Sequence, residues 1–335
     1  MNKAMKKRIL LPLAVAAAVA ITVTGCGATS DTSSPNNSTD GGAPEQATIN
    51  FATVAPGSST PELHIGIAQG IYTDHGLDVK EVVGQGGAAQ VPALVSGDLD
   101  VAGGNWVPFM QAAAQGINVR AISAAGSIVT HGVHGLFVRA DSDIKTAADF
   151  VGKTLAVNTL GNLGELAYKE AMEAAGVDPK DAKFTELGFG DIAGALERGS
   201  VDVGWQPGPF YASAQKNEKL RMVLDFNDIK SISGLPNVGY VAMGSWVDSN
   251  PNTVKALAAA LDESIDYTLK HPEAVRQMSV EIAHMSEEMA NSIALEVHMA
   301  KVPRATVVRL MDLMVKWGLL DAPLDLDKVL PASQD

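Results

Sequence analysis

The chain has 335 residues, a formal net charge of −13, 46% hydrophobic residues and a single cysteine. Roughly three hundred residues of this aliphatic content beyond the leader exclude a disordered or fibrous protein and leave room for two domains of ordinary size. The acidic balance speaks against nucleic acid as a partner and against tight binding of the body to anionic lipid, and the lack of a second cysteine excludes internal disulfides and thiolate metal sites.

The chain opens on a leader. Lys3, Lys6, Lys7 and Arg8 form a basic start, Ile9 to Val23 an apolar run, and Val23-Thr24-Gly25-Cys26 closes it with small residues ahead of the sole cysteine. The run is shorter than the roughly 20 residues a membrane-spanning helix needs. The pattern resembles a lipobox, which implies a signal peptide over residues 1–25 and an acylated Cys26 that tethers the chain to membrane lipid. Residues 26–46 are polar and small with no hydrophobic period, so an extended, mobile tether is expected there.

From Ile49 onward one grammar repeats. A buried strand (Ile49 to Val54) gives way through Ala55-Pro56-Gly57-Ser58-Ser59 to a helix with Thr60 as N-cap and Pro61 at its first position. Strand Leu77 to Val83, turn Gly84-Gln85-Gly86-Gly87 and helix Ala88 to Ser96 follow, then strand Leu99 to Ala102, Gly103-Gly104-Asn105 and helix Trp106 to Gln115, with further strands at Val119 to Ala124 and Gly135 to Val138. A second copy begins at Thr154: Leu155-Ala156-Val157, turn Asn158-Thr159-Leu160-Gly161-Asn162, and a helix from Leu163 to Ala175 stopped by Gly176. Strand Ala182 to Leu187, helix Asp191 to Arg198, strand Val201 to Gly204, helix Pro209 to Asn217 and strand Arg221 to Leu224 complete it. Apolar runs alternating with amphipathic helices predict two parallel sheets flanked by helices, with a cleft between the halves. After the strand Gly239 to Met243 the chain turns helical, punctuated by Pro251, Pro272, Pro303 and Pro323, and these helices are expected to pack on the first half.

In open α/β sheets a ligand sits beyond the carboxyl ends of the strands, where helix N-termini aim free N–H groups. Three turns qualify: the one holding Ser58 and Ser59, the one holding Gln85 and Gly86, and the one holding Thr159, Gly161 and Asn162. Each has a plain alternative as an ordinary cap or left-handed glycine, and only their joint occurrence points to a clamp. Asn105, Asp191, and the aromatics Trp106, Trp205 and Phe210 fall just after strands, where they either pack the core or face a ligand. No complete dinucleotide fingerprint and no Walker lysine accompany the glycine turns, so no nucleotide cofactor is expected. His131 and His134, three apart, have no carboxylate at helical spacing beside them, which leaves the pair as hydrogen-bonding candidates near the cleft floor rather than metal ligands.

The runs Gly152-Lys153-Thr154-Leu155-Ala156-Val157, Ala174-Ala175-Gly176-Val177-Asp178-Pro179-Lys180-Asp181 and Ala195-Leu196-Glu197-Arg198-Gly199-Ser200-Val201-Asp202-Val203-Gly204-Trp205 with Pro209-Phe210 resemble the solute-binding proteins of sulfonate, taurine and nitrate importers of the ATP-binding cassette class. Ala68-Gln69-Gly70-Ile71-Tyr72, His75-Gly76-Leu77-Asp78-Val79 and Ala93-Leu94-Val95-Ser96-Gly97-Asp98-Leu99-Asp100-Val101-Ala102 extend the match upstream. The resemblance implies a type II periplasmic-binding fold: lobe 1 from residues 47–132 and 239–335, lobe 2 from 133–238, two crossover strands and a helical tail. It further implies a monomeric, extracytoplasmic receptor that captures a small organic ligand, such as an organosulfonate or taurine, and delivers it to a permease, with no cofactor and no metal. Asn162, Leu163 and Glu165 stand where sulfonate binders carry hydroxyl residues and a histidine, so two oxyanion donors are absent. Pro207 and Gly208 replace a bulkier pair. Glu165 either pairs with a ligand amine or simply favours the helix dipole. A thiamine-related pyrimidine or an aromatic carboxylate are the alternatives, and a lyase or synthase on the same fold is a further one.

Overall fold

The computed structural model describes residues 42–54, 60–84, 87–282, 284–299, 301 and 303–330. Cys26 and the residues before it, together with Ser58, Ser59, Gln85 and Gly86, lie outside the described residues. The first sheet is laid down by β1 (Thr48–Thr53), helices α1 (Pro61–Ala68) and α2 (Ile71–Asp74), β2 (Asp78–Val83), α3 (Gly87–Ser96), β3 (Val101–Asn105), α4 (Trp106–Ala114) and β4 (Val119–Ala124). The two-residue strand β5 (Gly126–Ser127) leads to β6 (His134–Arg139), β7 (Thr154–Val157), α5 (Leu163–Ala174), β8 (Lys183–Glu186), α6 (Phe189–Glu197), β9 (Val203–Pro207), α7 (Gly208–Lys216) and β10 (Leu220–Asp225). The chain returns through β11 (Val238–Met243) and ends in α8 (Gly244–Ser249), α9 (Pro251–Lys270), α10 (Pro272–Glu281), α11 (Glu287–Ser292), β12 (Val297–His298) and α12 (Arg304–Lys316).

The strand order is β2-β1-β3-β11-β4 in the first sheet and β10-β6-β9-β7-β8 in the second. Neither is wholly parallel, which corrects the sequence expectation. β11 runs antiparallel to β3 and β4, and β6 antiparallel to β9 and β10. The reason lies in the path of the chain. β4 leaves the first sheet at its carboxyl end, so the next strand enters the second sheet from that same end and runs backwards. The return from β10 to β11 repeats the reversal. Each sheet thus marks its crossover by its one reversed strand.

Three apolar layers follow. Ile49, Phe51, Leu63, Leu257 and Leu261 fill the space between the first sheet and helices α1 and α9. Phe137, Ile192, Leu196 and Tyr211 do the same between the second sheet and helices α6 and α7. The inner layer is shared: Trp106 and Phe109 of α4, Leu163 and Leu166 of α5, and Leu310 and Met314 of α12 belong to one buried cluster that takes side chains from both sheets. Close approach sets its limits, since a Cβ at Gly239 would come within 2.5 Å of the Trp106 ring.

Two further expectations need correction. The last residues of the stretch expected to be a mobile tether are docked: Glu45 accepts hydrogen bonds from the Asn252 and Thr253 N–H groups at the start of α9, and the Gln46 N–H donates to the Thr253 hydroxyl. The free amides of a helix start are a ready partner for a carboxylate. Of the C-terminal helices, α9 packs on the first sheet as expected, but α12 reaches the second. Glu170 of α5 accepts from Lys316 Nζ at 2.7 Å and from Trp317 Nε1 at 2.6 Å. Among the described residues no helix is long and apolar enough to cross a membrane.

Candidate functional site

Strand ends and helix starts of both sheets gather at the crossovers. On the first sheet Asn105 is the N-cap of α4, its Oδ1 accepting from the Val107 N–H at 3.0 Å while its Nδ2 donates to the Asn237 carbonyl at 2.9 Å. Trp106 is fully buried, and its indole N–H donates to the Val238 carbonyl at 3.0 Å. Of the two roles the sequence left open to it, it takes the core one, which removes it from the candidate ligand contacts. Thr60 sits at the N-cap position of α1, yet its side chain makes no capping hydrogen bond. Gln90 of α3 donates through Nε2 to the Thr53 carbonyl at 3.1 Å, and its buried Oε1 has no partner among the described residues.

On the second sheet the turn before α5 holds half-buried Thr159 and Gly161, the latter at φ +64°, a backbone conformation that favours glycine. A Cβ at Gly161 would point toward Gln111 of α4 at 3.6 Å and Leu319 at 3.9 Å, so this turn lies close to elements of the first half. Three of its amides are already engaged. The Gly161 N–H donates to Glu165 Oε2 at 2.8 Å, the Leu160 N–H to Glu186 at 3.0 Å, and the Leu163 N–H to Asn162 Oδ1 at 2.7 Å. Glu165 also pairs with Lys169 at 2.6 Å. Asn162 and Glu165 are therefore caps, and the turn presents carboxylates where an anion-binding cradle would present bare N–H groups.

The wall beside that turn is aromatic. Trp205 stacks on Phe226 with centroids 5.4 Å apart, meets Phe189 edge-on at 5.0 Å and lies 6.0 Å from His134, while Phe210 stacks on Phe189 at 5.8 Å. The Trp205 indole N–H and the Asn158 Oδ1 are buried without a hydrogen-bond partner among the described residues. Such atoms are costly to leave unpaired, so they mark where a ligand or ordered water would be held. Asp191, in the first turn of α6, is exposed and outside this group.

The floor is a buried polar chain of which sequence reasoning had reached only His134. Glu62 pairs with His298 Nδ1 at 2.8 Å, Glu296 lies 3.9 Å from His298 Nε2 and 3.5 Å from His134 Nε2, and Asn237 Nδ2 donates to Glu296 at 2.7 Å. Burial alone would lower the His298 pKa, but Glu62 and Glu296 overcome it and hold the imidazole at about 9. Burial alone would raise the Glu296 carboxyl, and the imidazoles of His134 and His298 with the Asn237 amide keep it below the usual range. The sequence signal was slight: Glu296 and His298 stand two apart, on either side of Val297, where β12 begins. His131, by contrast, points to solvent and lies 3.2 Å from an exposed Asp228, which takes it out of the floor. Among the described residues no group of three or more His, Cys, Asp or Glu could hold a metal ion.

A cavity of 180 Å³ lies beside this floor, between Pro61 at the start of α1, Gly208 and Pro209 at the start of α7, and the segment from Ile293 to His298. A larger one of 1070 Å³ sits at the opposite end of the first sheet, between Gly116, Val119, Val254 and Val329, away from the clustered helix starts. Position rather than size assigns the candidate site to the crossover side.

Known proteins supply the remaining information. A binding protein of Brucella abortus strain 2308, which bears no more specific name, is 24% identical over 280 residues, taking in 78% of this chain and 83% of the relative. The alkanesulfonate-binding protein SsuA of Xanthomonas axonopodis pv. citri, solved with MOPS, matches with a TM-score of 0.72 at 15% identity, over 86% of this chain and 99% of that one. The nitrate-binding protein NrtA of Synechocystis PCC 6803 matches at 0.71 with 17% identity over 86% and 87%. The desulfurization enzyme DszB matches at 0.64 with 16% identity over 86% and 97%. At such identities these likenesses show the fold, a periplasmic-binding architecture on which both receptors and an enzyme are built. The family model described as NMT1/THI5 like matches residues 61–275, well over half of the chain, and the protein belongs to that family.

Proposed function

We propose that the protein is the extracytoplasmic solute receptor of an ATP-binding cassette importer, a monomer tethered through acylated Cys26, which takes a small organic ligand between two lobes and hands it to a permease. The lobes correspond to residues 47–132 with 239–335, and to 133–238. One observation carries this reading: strand ends and helix starts from both sheets meet at the crossovers, beside an aromatic wall whose Trp205 indole N–H is buried and unpaired.

The wall also speaks to the ligand. With Glu165 and Glu186 taking two of the amides before α5, the second lobe offers acceptors and ring faces, which suits an amine-bearing or planar heterocyclic ligand, a thiamine-related pyrimidine among them, better than an inorganic anion. An organosulfonate, taurine or an aromatic carboxylate remains the second reading, and its charged end would have to be received by the turns at Ser58, Ser59, Gln85 and Gly86.

Thermal unfolding of the full chain against taurine, alkanesulfonates, aromatic acids and aminopyrimidines tests both readings, because a ligand at 100 times its Kd adds about 2.7 kcal/mol to the folded state. The stabilising compound should be recovered unchanged, and Trp205→Phe should weaken its binding while leaving the fold intact. Conversion of the compound to product would replace the receptor with an enzyme. Cys26→Ser should abolish fatty-acid labelling and leave an unprocessed precursor; continued processing and labelling would remove the tether.

A further inference from the structure

Two C-terminal segments cross from the first sheet to the second, on opposite flanks and by unequal means. On one flank α12 contributes fully buried Val307, Leu310 and Met314 to the cluster shared with α4 and α5. Lys316 and Trp317 close on Glu170, whose side chain is 5% exposed, and Lys316 also meets Glu173. Arg309 reaches the Ser231 and Ser233 carbonyls at 3.2 and 3.0 Å on the return crossover.

On the other flank the segment from α10 to β12 is firmly seated on the first-lobe side. β12 pairs with β5, His298 with Glu62, and Val275 and Met278 pack on Ile65 of α1. Apart from the crossover residues His134 and Asn237, which meet the buried Glu296, its hold on the second lobe is slight. Ala212 of α7 meets Met285 and Ala290 in a cluster of three buried residues, and the exposed Lys216 and Glu288 lie 3.4 Å apart. The 180 Å³ cavity between Pro209 and Ile293 further thins the packing at this contact. Small side chains, a void and a solvent-screened ion pair make a contact that parts at little cost, whereas a continuous core does not.

We propose that the α12 flank is the pivot of the two-lobe protein and that the contact of α11 with α7 is a latch, so that the lobes separate on the latch flank and stay joined at α12. This rests on the two-lobe reading of the receptor, but it is tested without any ligand. Because Cys26 is the sole native cysteine, spin labels can be placed in a Cys26→Ser background at Glu218→Cys with Lys270→Cys for the latch flank, and at Gln115→Cys with Ala174→Cys for the pivot flank. All four positions are exposed.

Pulsed-EPR distances should show two populations across the latch flank and one across the pivot flank. Lys216→Glu, which sets like charges against Glu288, should enrich the longer latch distance several-fold without moving the pivot distance. Equal distributions on the two flanks, a broader one at the pivot, or indifference to Lys216→Glu would overturn the assignment. A silent ligand screen would not, and so bears only on the function proposed above. Hydrogen exchange on the unlabelled chain provides a control: fraying of α11 alone would speed exchange in residues 287–292 without a second distance population, and that outcome also counts against the latch.

Discussion

The floor of the candidate site and the turn before α5 both place carboxylates near the crossovers, and the two do different work. Glu62 and Glu296 are buried among histidines and an asparagine, so their charges are balanced by side chains brought from three distant stretches of the chain. Glu165 and Glu186 lie nearer solvent and bind backbone N–H groups of the turn before α5, Glu165 from the helix that follows it and Glu186 from the end of the neighbouring strand β8. Burial separates the two roles. An ionised group out of water must keep its partner, whereas a capping carboxylate can exchange its partner for water.

The contrast can be broken most directly at Glu62. Glu62→Ala leaves the buried His298 with Glu296 alone, and calorimetry should record a loss of about 3–5 kcal/mol. A loss no larger than that of a surface change would show that the floor is not a charge-balanced unit. The pH profile sharpens the same point. His298 is raised from 6.5 to about 9, so its stabilising contribution is complete below the unfolded-state pKa and fades as pH rises through the folded value. The melting temperature should fall between those limits, and the fall should be absent in His298→Gln; a flat wild-type profile would contradict the pairing with Glu62.

At the turn the effects should be smaller. Glu165→Gln keeps an acceptor for the Gly161 N–H but loses the charge that meets Lys169, and a cost of about 1 kcal/mol in urea unfolding is expected. A cost matching that of Glu62→Ala would erase the distinction between floor and turn. Smallest of all, His131→Ala should stay within about 0.5 kcal/mol of wild type, since its contact with Asp228 is exposed on both sides.

Local chemistry was legible where it depended on neighbours in sequence. Pro61 opens α1, Asn162 caps α5, Gly176 follows its end, and the strand Val119–Ala124 appears with the bounds that its apolar run suggests. The all-parallel sheets were misjudged because direction is set by the end at which a crossover enters, and an apolar run reads the same both ways. Trp106 was indistinguishable from a ligand contact, since an aromatic after a strand can turn inward or outward, and only Gly239 beneath its ring decides the matter. His131 and His134 looked equivalent as well, three residues apart in one connection; one is exposed and the other buried beside Glu296.

By itself the sequence determined the repeated strand-turn-helix units, the two α/β halves and the helix starts that bring N–H groups to the strand ends, because periodicity and capping act over a few residues. Tertiary structure alone decided which of those N–H groups are already taken by Glu165 and Glu186, which histidine is buried, and how α12 and the α11 segment join the halves. Those outcomes depend on side chains such as Glu62 and His298, far apart in the chain, sharing one space from which water is excluded, and no local pattern records such a meeting.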